Sequence, residues 1–172
     1  MNGYLNPTID DVFQFHEKTH CIIDNQLQQE KVAASPQPGA VFFGMTSDEV
    51  DDFFRRLDQL AMFDLLSTTE AHLRADFQNR VQKKRKDALS REFRDAAKQR
   101  RGKVRLDEDI LDSWKKHHPK HKACICEFKA ALKLRHWLAH GRHWVPKLGR
   151  SYTKWVVRDI CDTLAKALPP LP

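Results

Sequence analysis

The chain has no apolar run approaching the ~20 residues that a membrane-spanning helix needs. Its start, Met1-Asn2-Gly3-Tyr4, lacks the charged leader and apolar core of a secretory signal. Its four cysteines, Cys21, Cys124, Cys126 and Cys161, do not resemble a secreted disulfide framework, so a reducing cytoplasm is the expected location. There is no Gly-rich phosphate loop and no Gly-x-Ser-x-Gly elbow, which weighs against a nucleotide kinase and a serine hydrolase. Strand-like alternation and internal repeats are also missing. What remains is a helical pattern over 172 residues, enough for one domain with a sizeable core. The expectation is all-α: a bundle of about five to seven helices, with residues 1–45 a helix and loop at its periphery.

Charge is unevenly spread. Residues 1–79 carry a net −8, residues 80–105 a net +9 and residues 106–172 a net +6. Such asymmetry fits a polyanion-binding face, with nucleic acid the leading candidate. A solvated basic surface complementary to the acidic half is the competing reading. Within the basic stretch, Lys83, Lys84, Arg85 and Lys86 are the densest cluster.

Taken in order, Asp10 to Val32 reads as a helix, with Val12, Phe13, Phe15, Ile22, Ile23 and Leu27 as its apolar surface. Thr46-Ser47-Asp48-Glu49 has capping-box form and starts the next helix, whose core face is Phe53, Leu57, Leu60 and Phe63. Ser67-Thr68-Thr69-Glu70 has the same form, which predicts a break near Leu66. Gln82 to Gln99 reads as one basic helix ended by Gly102, and Asp107 to Trp114 as a short helix. His117-His118-Pro119-Lys120-His121 breaks the chain again. The last helix is expected from Arg150 to Leu168, with Trp155, Val156, Ile160 and Leu164 inward.

The stretch Leu132 to Trp144 concentrates three histidines, two arginines and two tryptophans. Ala123 to Ala139 reads as its helix, with Gly141 just past the end and Pro146 beyond. Ala131, Leu134 and Leu138 fall on one apolar stripe, and Lys129, Lys133, His136 and His140 on a basic one. Arg135 falls in the apolar arc, so it needs a carboxylate partner if buried. Arg135 and His140 are separated by roughly 140° on an ideal helix, so one helix does not aim both at one point.

Arg135-His136-x3-His140 resembles the Arg-x4-6-His signature of the HEPN superfamily. Its context, Leu134 to Arg142, looks like the bacterial toxin- or defence-like members. The resemblance covers roughly Ser67 to Leu168. It implies an all-α fold, a homodimer with motif helices facing each other, and metal-independent cleavage of RNA to 2′,3′-cyclic phosphate ends. It implies His140 as acid/base, Arg135 as phosphate ligand and His136 as a polar neighbour, with Arg142 and His143 at the rim. A cognate antitoxin or defence partner would follow, and no cofactor or membrane.

The segment Glu70 to Phe77, with Arg74 and Asp76, resembles an early helix of the same subgroup whose acidic residue faces the catalytic pair. An ordinary intrahelical Glu70–Arg74 pair, worth a few tenths of a kcal/mol, explains those residues equally well. Lys129 and Lys133 join Lys83 to Lys86 as candidate RNA contacts. Zinc is the chemical rival, because His136 and His140 have the i, i+4 spacing of helical ligands. But no His-Glu-x-x-His pattern occurs, and Cys124 and Cys126 lie on different sides of a helix. A catalytically silent RNA- or protein-binding module is the other functional class.

Overall fold

The computed structural model describes residues 7–33, 35, 39–140 and 146–168. Six α-helices account for most of it, and no strand occurs among the described residues. They are α1 (Ile9–Val32), α2 (Ser47–Gln82), α3 (Ala88–Gln99), α4 (Asp112–His117), α5 (Lys122–Ala139) and α6 (Lys154–Ala167). A π-helical turn, Leu106–Leu111, runs directly into α4, and a 3-10 turn, Pro119–His121, precedes α5. This is the all-α bundle that the sequence predicts.

α2 is the central post. It packs against α1, α3, α5, α6 and the π turn. Its inner face presents Leu65, Leu66, Leu73 and Phe77 to Phe93 of α3, Phe128 of α5 and Val157 and Leu164 of α6, with Trp114 of α4 in the same core. α1 adds Ile9, Val12 and Phe13 to that core. Its carboxylate Glu30 also accepts from the backbone N–H of Val41 and Phe42, which ties down the segment ahead of α2.

Four local expectations are corrected. α2 does not break near Leu66; it runs unbroken for 36 residues. Thr69 lies in the core and its hydroxyl donates to the carbonyl of Leu65 at 2.9 Å, one turn back. That bond satisfies the side chain inside the helix, so the capping pattern is overridden by burial of the flanking leucines.

The basic helix, conversely, is interrupted. α2 stops at Gln82, Lys84 adopts a left-handed φ of 47°, and Arg85 N–H returns to the carbonyl of Arg80 at 3.3 Å. Asp87 then caps α3, accepting from Ser90 N–H at 2.9 Å. A lysine in place of the usual glycine hid this turn, although Asp87 is a standard N-cap residue.

The last helix begins later, with Thr153 as cap. Its inward side is Val157, Ile160, Cys161 and Leu164, while Trp155 is exposed. Ile160 and Leu164 are inward as expected, and Val157 and Cys161 take the places given to Trp155 and Val156. On α1 and α2, Phe15, Ile22 and Leu60 are also exposed, because the buried stripes pass through Val12, Phe13 and Leu27 and through Ala61, Met62 and Leu65 instead.

Candidate nucleic-acid interface

A groove of about 940 Å³ opens between α2, α5 and the chain leading into the π turn. α2 contributes Glu70 and Arg74. Val104 to Asp107 form a second wall, and Pro146 to Leu148 complete the lining. α5 contributes Lys129, Lys133 and His136, which share one side of the helix at i, i+4 and i, i+7 spacings, with Arg135 and Trp137 flanking that stripe on its two sides. The lining carries six Lys and Arg side chains against two carboxylates, Glu70 and Asp107. Its field therefore favours an anion.

Arg135 finds its carboxylate in Glu70. Oε2 of Glu70 lies 3.5 Å from Nε of Arg135, while its Oε1 accepts from Nε of Arg74 at 2.8 Å. The longer contact is an ion pair without a hydrogen bond, for Arg135 Nε has no hydrogen-bond partner. The guanidinium also sits over the Phe63 ring, 5.6 Å from its centroid. One-third of the Arg135 side chain stays accessible. It is held from behind and open in front, an arrangement that suits a phosphate ligand.

His136 lines the groove, and His140 does not. The two imidazoles meet one turn apart, with centroids 4.2 Å apart and planes tilted by 53°. His140 is exposed and terminates α5, its N–H bonded to the carbonyl of His136 at 3.1 Å. The divergence of Arg135 and His140 read from the helical period is therefore present in the fold. Arg142 and His143 lie outside the described residues, as does Gly141.

The other predicted residues divide. Lys133 is exposed in the groove wall; Lys129 is half-buried and bonded to Asp112 and to the carbonyl of Asp107. Asp76 turns away from the groove into a separate buried cluster. Its carboxylate accepts from Arg80 Nε at 2.7 and 2.9 Å, and Arg80 lies over the Trp114 ring at 5.0 Å. Lys83, Lys84, Arg85 and Lys86 lie in the α2–α3 turn, beside a smaller hollow lined by Arg80, Asp87, Ala88, Leu89, His117 and His118. They do not line the groove.

Sequence reasoning missed Arg105, Lys147 and Trp137 as groove residues. Arg105 and Lys147 are far from the motif in the chain, so no local spacing announces them.

No group of three His, Cys, Asp or Glu side chains among the described residues is placed to hold a metal ion. Cys124 is buried and Cys126 exposed, on different sides of α5 as expected. No helix among the described residues is long and apolar enough to cross a membrane. No family model, curated protein or solved structure matches the chain. The class defined by fold and site is thus an all-α bundle with a basic groove beside an Arg-x4-His helix end.

Proposed function

We propose that the chain is a metal-independent endoribonuclease of HEPN type. The observation that carries this reading is the groove itself. It sets Arg135 and His136 among basic walls, with the His140 ring against His136. In the proposed reaction Arg135 binds the scissile phosphate. An imidazole takes the proton from the ribose 2′-hydroxyl as that oxygen attacks phosphorus. The P–O5′ bond breaks, and a protonated imidazole returns a proton to the departing 5′-oxygen. The products are a 2′,3′-cyclic phosphate and a 5′-hydroxyl.

Histidine suits both proton transfers because its ordinary pKa lies near neutrality. His140 is the residue proposed for this work, with His136 as its neighbour. Because His140 points out of the groove that holds Arg135, the proposed active form is a homodimer. Each groove then receives His140 from the opposite copy across a two-fold axis. A cytoplasmic setting with a cognate antitoxin or a phage-defence partner fits the same resemblance.

The test is incubation of end-labelled RNA with the protein in EDTA. Cleavage leaving cyclic phosphate ends, abolished by His140→Ala with RNA binding retained, is the expected result. Activity lost on chelation and restored by zinc or magnesium overturns the mechanism.

A second reading is favoured by one observation. Glu70 already pairs with Arg135, and an ion pair of this kind also serves a silent binding groove. Under that reading His140→Ala changes nothing and RNA is bound without turnover.

A further inference from the structure

We propose that RNA entering the groove continues over the turn after α3, onto Arg101 and Lys103, and does not continue over the lysine cluster of the α2–α3 turn. This rests on the nucleic-acid reading of the groove and specifies the path of the flanking strand.

The groove wall is the starting point. Val104 and Arg105 line it, and Arg74 Nη1 donates to the carbonyl of Val104 at 3.3 Å, which pins this wall to α2. Followed backwards, the chain leaves the groove through Lys103, Gly102 and Arg101. Arg101 and Gly102 take left-handed φ values of 49° and 81°, so the chain reverses sharply there. Arg101 and Lys103 are exposed, and neither makes an ion pair among the described residues. Their flanking arginines differ. Arg100 is paired with Glu108 and Asp109, and Arg105 with Glu108. Within residues 100–105, the cationic charge left for a partner therefore falls on Arg101 and Lys103, immediately outside the groove.

The lysine cluster stands elsewhere. α3 has 12 residues, so its two ends are separated by roughly 18 Å. Arg74 marks the groove on α2, and Lys83 follows it by nine residues, roughly 13 Å further along the axis. Both measures place Lys83, Lys84 and Lys86 at the far end of the α2–α3 hairpin. The ligand class fitting Arg101 and Lys103 is the phosphodiester backbone of single-stranded RNA, held through charge without regard to base.

The test uses the full chain and fluorescent oligouridylates of about four and about twelve nucleotides, within the range of single-strand site sizes. Affinity is measured against salt for wild type, for Arg101→Gln with Lys103→Gln, and for Lys83→Gln with Lys84→Gln. Loss of two phosphate contacts should reduce the logarithmic salt slope for the long oligomer by about 1.4. The short oligomer should bind the Arg101/Lys103 variant as it binds wild type. The Lys83/Lys84 variant should match wild type with both. An unchanged slope in the Arg101/Lys103 variant, or an equal loss in the Lys83/Lys84 variant, overturns the path while leaving the groove as an RNA site. Wild-type protein that binds neither oligomer overturns the RNA reading and the path together.

Discussion

Glu70 holds Arg135 across the interface between α2 and α5, with Oε2 3.5 Å from Nε, and it holds Arg74 on its own helix at 2.8 Å. One carboxylate thus fixes two guanidinium groups of the groove, one on each helix. The intrahelical pair expected from the sequence exists, and so does the contact with the motif arginine. The same oxygen pair serves both.

Removing that carboxylate should disturb chemistry more than stability. The Arg74 and Arg135 side chains are 42% and 33% exposed, so solvent screens the pairs and Glu70→Ala should cost about 1 kcal/mol or less. Misplacement of Arg135 by about 1 Å should lower the cleavage rate by about 10²-fold. Single-turnover kinetics beside a thermal melt separate the two effects. A wild-type rate in Glu70→Ala would mean that Arg135 needs no orientation.

Mixing two dead variants tests where the site is completed. Arg135→Ala and His140→Ala homodimers should each be inactive. If each groove takes Arg135 from one copy and His140 from the other, random reassortment restores about a quarter of wild-type activity, since half the dimers are mixed and half their sites intact. No recovery after subunit exchange would place the whole site within one chain.

The Asp76–Arg80 pair is scaffold. Its side chains are 4% and 7% exposed, and burial pushes the Asp76 carboxyl up while two hydrogen bonds from Arg80 oppose that rise. Arg80→Ala leaves Asp76 buried with its ion-pair partner gone, at a cost of about 3–5 kcal/mol. The urea midpoint should fall with the slope unchanged. A loss under about 1 kcal/mol would indicate that water replaces the guanidinium.

Glu92 gives a pH signature. Burial raises its carboxyl, but hydrogen bonds with Lys116, His117 and Ser113 outweigh that, and the net shift is downward. A lowered folded pKa means that the folded state releases this proton more readily than the unfolded chain. The stability gained is fully present above the ordinary glutamate value, about 4.3, and is lost as pH falls through the lowered one. Glu92→Gln should therefore lie below wild type in a plot of melting temperature against pH near neutrality. The two curves should converge on the acid side. Parallel curves down the acid limb would remove Glu92 from this role.

The helical class, the boundaries of α1 and α5, and the divergence of Arg135 from His140 follow from 3.6-residue periodicity, which is a local property. The errors have two origins: a local signal overruled by packing, and a turn that lacks its usual glycine. Thr69 looked like a cap and is a core residue of α2. Lys84 looked helical and is the left-handed turn that reverses the chain. The groove was half legible. Glu70, Arg74, Lys129, Lys133, Arg135 and His136 could be named because they lie on two recognisable helices. Arg105 and Lys147 reach it only through the return of the chain, for which periodicity carries no information.

The 36-residue α2 has a dynamic consequence. It is the surface against which α1, α3, α5 and α6 all pack, so no neighbour can detach without baring part of it, and it cannot melt without releasing all of them. Amide hydrogens at its midpoint, around Leu65 and Leu66, should exchange with solvent only through global unfolding. Protection there should report the full stability of the molecule, and the groove, two of whose walls hang on this helix, should stay assembled until that limit is reached.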